Sequence, residues 1–227
     1  MIRASLTLAA LLAAMPAVAQ TAPAAPLQQP MGTPWPDPVD ADIPEQPFGS
    51  SNGARFAAHN YGKCIADKSP EKSRELLAMD FTTSRFQTGM RAVSDANRYC
   101  FGRRGKMRSS SVLVAAAMAE RLLELDTSRP LNARLARAAA GAAPRSFSPS
   151  DAIAVCVVRS APDEAAALLT SRIASEAERG AVEALSFVVS RCGQGKKLSV
   201  SAEGLRAILA TAAFRSINAG PVPVAGN

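Results

Sequence analysis

Four cysteines, one histidine and a knot of arginines are the residues of this 227-residue chain whose types and placing invite chemistry. Cys64 and Cys100 stand 36 positions apart (100 − 64), and so do Cys156 and Cys192 (192 − 156). Catalytic dithiols favour C-x-x-C at a helix start, where the helix dipole lowers a thiol pKa. Structural zinc needs close cysteine pairs of a similar kind. The chain has no such pair, so the spacing predicts structural disulfides, without a redox centre or a metal.

His59 is the only histidine, and any Ser–His or Cys–His chemistry would depend on it alone. Its neighbours Ala58 and Asn60 form no nucleophile signature. It precedes the first apolar position of a helical stripe, which predicts a surface or capping residue. The acidic pairs Asp163-Glu164 and Glu176/Glu178 read as helix-start acids that complement the macrodipole, and nothing sets a raised-pKa acid opposite a base as a glycosidase requires. Gly102/Gly105 and Gly193/Gly195 are too short a pattern for a phosphate-cradling loop and read as helix terminators. No catalytic residue and no cofactor signature emerges.

The arginine knot is the strongest lead. Arg98, Arg103, Arg104, Lys106 and Arg108 crowd one helix junction, and Arg191, Lys196 and Lys197 form a reduced counterpart. From Phe56 to Leu122 there are twelve Lys/Arg against six Asp/Glu, within a formal net charge of +7. Such a patch suits lipopolysaccharide phosphates, anionic lipid headgroups or an acidic protein; the plain alternative is a solvated loop. Nucleic acid is disfavoured, because an aromatic content of 5% leaves bases few stacking platforms.

The elements that must position these residues follow from a second regularity. Sliding the chain by 92 aligns both cysteine pairs (156 − 64, 192 − 100), Pro70 with Pro162, Leu76-Leu77 with Leu168-Leu169, Ser109 with Ser201 and Leu113 with Leu205. Self-similarity at a fixed offset marks a duplicated unit. It selects one of the three possible pairings: Cys64–Cys100 and Cys156–Cys192. Each bridge closes a loop worth roughly 3.5–4 kcal/mol in the chain-entropy treatment.

Between the tails the pattern is helical. Ser148-Pro149, Ser69-Pro70 and Pro162 open helices. Val182, Leu185, Val188 and Cys192 fall on one face at steps of 3, 3 and 4, matched by Met90, Val93, Ala96 and Cys100. Ser109 and Ser201 are the expected caps of the fourth helix in each unit. Pro130 to Ala140 predicts one more short helix, closed by Gly141.

The expected organisation is a signal peptide over 1–19, with cleavage after Ala19 in the small-x-small stretch Ala17-Val18-Ala19. A Pro-rich acidic linker follows over 20–54, either an unattached spacer or a segment folded back onto the basic junction of the first unit with Trp35 in an apolar groove between the units. A helical repeat covers 55–126, a helical connector 127–145, a second repeat 146–217 and a loose tail 218–227. The fold class is all-α: two tandem four-helix repeats, each with one internal disulfide, packed into one globule. No segment beyond the signal is apolar enough to span a bilayer. Ala-, Arg- and Pro-rich usage suggests a GC-rich bacterium, which places the chain in the periplasm or outside the cell. The leading expectation is a non-catalytic binding or scaffold module of the bacterial cell envelope, contacting anionic lipid, glycolipid or an acidic partner. The alternative is a periplasmic hydrolase whose site is not visible in sequence.

Overall fold

Serine and threonine hydroxyls start most of the helices in the computed structural model, which describes residues 51–101, 109–194 and 200–219. The nine α-helices among them are α1 (Asn52–Lys68), α2 (Pro70–Ala78), α3 (Ser84–Ala96), α4 (Ser111–Leu125), α5 (Leu131–Ala140), α6 (Pro149–Ser160), α7 (Pro162–Thr170), α8 (Glu176–Cys192) and α9 (Ala202–Ile217). The hydroxyls of Ser51, Thr83, Ser110, Ser148, Ser175 and Ser201 each accept a first-turn N–H, satisfying a donor that the helix itself leaves orphaned. Pro70, Pro149 and Pro162 occupy first-turn positions, where their missing N–H costs nothing. The expected signal segment, the linker up to residue 50, residues 220–227, and Arg103, Arg104, Lys106, Arg108, Lys196 and Lys197 lie outside the described residues.

All regular structure described is helical, and two disulfides close as the spacing predicts. Cys64 bridges to Cys100 across a Cα separation of 5.6 Å, and Cys156 to Cys192 across 5.8 Å. Element boundaries recur at the sequence offset: α2 and α7 differ by 92 at both ends (162 − 70, 170 − 78), and so do the starts of α3 and α8 (176 − 84). No described helix is long and apolar enough to cross a membrane.

Three local expectations are corrected. Ser110, not Ser109, caps α4, because its hydroxyl is the one that reaches the Val112 N–H at 3.2 Å. Cys100 does not lie on α3. The buried amide of Asn97 turns back onto the Val93 carbonyl at 2.8 Å, competing with the next helical bond. The chain then continues as a short 3-10 turn, Arg98–Phe101, that carries the cysteine. Lastly, α1 begins at Asn52, three residues inside the segment expected to be linker (55 − 52), because Ser51 supplies a cap.

α4 and α9 form the centre. α4 packs on α1 and α9, and α9 also touches α2, α5, α6, α7 and α8. Both central helices are built largely on small residues: Ala115, Ala116, Ala117 and Ala119 are buried on α4, and Ala207, Ala210, Ala212 and Ala213 on α9. Larger side chains, among them Ile65, Leu76, Met118, Leu168, Leu185 and Leu209, fill the spaces between helices as one contiguous apolar cluster.

The crossing of α1 and α4 is set by Gly62. A Cβ there would meet the Ala117 Cβ at 2.5 Å and the Val114 carbonyl oxygen at 2.6 Å. Both obstacles are held by helix backbone, so neither yields cheaply. Gly180 lies in the second turn of α8 with no atom near its would-be Cβ. Two glycine-to-alanine changes should therefore act in opposite directions in urea unfolding. Gly62→Ala should lose about 1–3 kcal/mol by overpacking, whereas Gly180→Ala should gain about 0.5–1 kcal/mol in helix propensity.

Candidate functional site: a buried ion network and an arginine-lined cleft

Arg206, on the most buried helix, gathers two of the buried carboxylates, Glu120 and Glu178. Its Nε and Nη2 donate to the two carboxylate oxygens of Glu120 on α4 at 2.8 and 2.6 Å. Its Nη1 donates to Glu178 on α8 at 3.3 Å and to the Ser171 carbonyl at 3.1 Å, while Nη2 also reaches the Leu169 carbonyl. From α1, Arg55 donates to both oxygens of Glu178 at 2.8 Å, and His59 Nε2 lies 3.0 Å from Glu120 Oε2. Four helices thus meet in one knot of two carboxylates, two guanidiniums and an imidazole.

Local structure fixes the Glu178 end. The Ser175 hydroxyl accepts the Glu178 N–H at 3.2 Å, and the Glu178 carboxylate accepts the Ala174 N–H at 2.8 Å. This reciprocal pattern resembles a capping box drawn one residue outward. It holds Ala174 at φ 58°, a left-handed conformation uncommon for a residue with a Cβ.

Burial pushes the Glu120 carboxyl toward neutrality, but hydrogen bonds from Arg206 and His59 and their charges outweigh it, leaving its pKa below the ordinary 4.5. Burial likewise opposes the charge of Arg206, and the bonds and charge of Glu120, then Glu178, reverse that and raise it. With Glu120 ionised and able only to accept, His59 Nε2 must carry the proton of that contact.

His59 is therefore neither a surface residue nor a cap. It lies inside α1 with its side chain 16% exposed and paired to a buried acid. The adjoining cavity measures about 30 Å³ and is lined by Arg55, Leu113, Ile173 and Glu203, with no hydroxyl or thiol among its lining residues. A space of that size holds about one or two waters. The arrangement can fix helices and hold a proton, but a space of about 30 Å³ has no room for an acyl or glycosyl substrate. No cluster of three or more potential metal-ligating His, Cys, Asp or Glu side chains exists among the described residues.

A second buried pair joins Arg215 of α9 to Asp151 of α6. Asp151 also accepts the Phe147 N–H at 2.9 Å, and the Arg215 guanidinium lies 4.9 Å from the centre of the Phe147 ring.

Of the expected anion-binding residues, Arg98 alone is described. It is exposed and paired with Asp95 at 2.9 Å, one helical turn back. Arg103, Arg104, Lys106 and Arg108 lie outside the described residues. Sequence reasoning passed over another cationic cluster, where α4 gives way to α5. There a cleft of about 350 Å³ is lined by Arg129, Arg134, Arg137, Asp126 and Ser216. Arg134 donates to the Leu123 carbonyl at 2.6 Å and to Asp126 at 3.0 Å. The signal was the spacing itself: Arg134 and Arg137 are one turn apart on a helix otherwise made of Ala, Leu and Asn.

Compared with protein-family models, with curated proteins and with solved structures, the chain matches none.

The network yields two expected outcomes. Arg206→Met leaves two buried carboxylates without their shared partner and should cost about 3–5 kcal/mol. Glu120→Gln in the Arg206→Met background should cost less than on its own, which a double-mutant cycle in urea measures. The second concerns pH. Because the folded pKa of Glu120 is depressed, its contribution is present above the ordinary value and is lost as pH falls through the folded one. The stability gap between the wild type and Glu120→Gln should therefore narrow below about pH 4, as read from denaturation midpoints across a pH series.

Proposed function

We propose that this chain is an exported, non-catalytic helical binding module of the bacterial cell envelope that contacts an anionic component through arginine-rich surface. The observation that carries the reading is the way charge is distributed. The buried carboxylates Glu120, Asp151 and Glu178 are all paired with arginine inside the body. The chain nevertheless retains a net charge of +7, and arginines such as Arg129 and Arg137 are exposed. A surface of that sign attracts phosphates and carboxylates and repels like-charged partners.

Export is supported by the apolar run after Arg3, the Ala17-Val18-Ala19 stretch and the two disulfides, which persist in oxidising compartments. A binding role rather than catalysis is favoured by the surroundings of the single histidine, already occupied by Glu120 and facing a cavity of about 30 Å³. The tandem duplication read from the 92-residue offset fits such a module, since a second copy enlarges a surface without needing a new fold.

Sedimentation with vesicles containing phosphatidylglycerol tests this. The wild type should be retained at low salt and released as ionic strength rises, because exposed charge pairs are screened over about 10 Å at 0.1 M salt. Arg103→Ser with Arg104→Ser should weaken that retention while leaving thermal unfolding unchanged. Retention equal to wild type would remove the basic junction from the reading.

A further inference from the structure

We infer that the cleft between the α4–α5 turn and the end of α9 is a specific site for a phosphate group, presented either on a small phosphomonoester or on a lipid headgroup. This deepens the proposed anion-binding function and rests on it, but it names a different surface from the basic junction around Arg98. With a volume of about 350 Å³, the cleft is within the ordinary range of small-ligand pockets.

Three arginines line it against one acid. Asp126 is already taken by Arg134, which leaves the exposed Arg129 and Arg137 as surplus positive charge at the mouth. Two of the three buried side-chain polar atoms that lack a hydrogen-bond partner among the described residues belong to residues of this one cleft: Arg134 Nε and Ser216 Oγ. The Arg134 side chain is 9% exposed, so its unused donor cannot simply be satisfied by bulk water. Buried donors left unmade are costly, and two of them belong to residues that line this cationic cleft.

A third feature removes the main obstacle to an anion there. The C-terminal end of α5 faces this cleft through Ala138 and Gly141, and such an end carries partial negative charge that repels anions. Arg159 neutralises it. Its Nη1 donates to the carbonyls of Ala138 and Ala142, and its Nη2 to those of Ala139 and Gly141, at 2.7 to 3.2 Å.

Phosphate is favoured over carboxylate by geometry. The cleft's donors come from three elements: the α4–α5 turn, α5 and α9. A tetrahedral oxyanion offers acceptors in several directions, whereas a carboxylate presents them in one plane and is met by a single fork.

The test uses the full mature chain, with glycerol phosphate, succinate and phosphatidate-containing phosphatidylcholine vesicles as probes. Calorimetric titration should show glycerol phosphate binding, or flotation should show phosphatidate-dependent retention. The first result identifies a soluble phosphomonoester and the second a headgroup. Either should weaken about tenfold in Arg129→Gln and in Arg137→Gln, both exposed positions whose replacement leaves the fold intact by circular dichroism. The cleft is overturned if neither probe binds, if binding is insensitive to both substitutions, or if succinate competes as well as glycerol phosphate. Phosphate binding lost only in Arg103→Ser/Arg104→Ser would sink the cleft and leave the general anion-binding reading standing; absence of binding to every anionic probe would sink both.

Discussion

The guanidinium of Arg206 is the one group that four helices share, and the packing around it depends on that sharing. A buried ion pair is a weak net stabiliser, because desolvation consumes most of the Coulomb gain. Its value here lies in register. The buried faces of α4 and α9, which pack on each other, carry Ala115, Ala116, Ala119, Ala207, Ala210 and Ala213, small residues that differ little from one turn to the next. Apolar area alone would tolerate a slide of one helix along the other. A fork that must place two nitrogens on Glu120 and a third on Glu178 does not. Shifting α9 by one turn, about 5.4 Å, would strand both carboxylates in the interior.

The outer helices are held by different means. α8 is seventeen residues long yet fully buries only Glu178 and Leu185, so little apolar area anchors it. At one end the Glu178 carboxylate pins its start, and at the other the Cys156–Cys192 bridge fixes its last residue to α6. α3 buries Phe86, Met90 and Val93, and the chain just beyond it is tied to α1 by Cys64–Cys100. Small domains with thin cores often need covalent help of this kind. Apolar burial thus governs α4 and α9, charge governs their register, and sulfur governs the periphery.

Local signals made the helices legible. Ser148-Pro149, Ser69-Pro70, Pro162, Ser201 and Gly141 each mark the boundary they were expected to mark, because capping and proline chemistry act within one turn of sequence. The disulfide pairing was legible for the same reason as the 92-residue offset that selected it. That offset also hid the ion network. The position 92 before Arg206 is Val114, the one 92 before Glu178 is Phe86, and the one 92 after Glu120 is Ala212. Each charge therefore sits where the other half of the chain is apolar, and a reading based on self-similarity averages it away. What remained visible was an acid, Glu120, and an arginine, Arg206, set among apolar residues of two long helices. Charges of opposite sign in such settings are buried only when paired, a clue independent of any repeat. His59 was misplaced because its partner is 61 positions away, beyond the reach of any local pattern.

Arginine does two separate jobs in this chain, and its total count conflates them. Helices leave their last carbonyls without partners, and here arginine forks take several of them. Arg134 caps α4 at Leu123, Arg159 caps α5 at Ala138 and Ala139, and Arg206 caps α7 at Leu169. Lysine is not equivalent here, since the planar fork presents several N–H donors in fixed directions whereas an ammonium is a single point charge. These arginines are committed to structure, so a sequence pI near 9.7 overstates the charge available to a partner. What counts for binding is the remainder, and its position matters more than its size. Arg129 and Arg137 flank a cleft whose own helix end has been silenced by Arg159. Surplus cations scattered over a surface lend solubility, whereas surplus cations around unsatisfied donors and a quenched dipole make a place for an anion to sit.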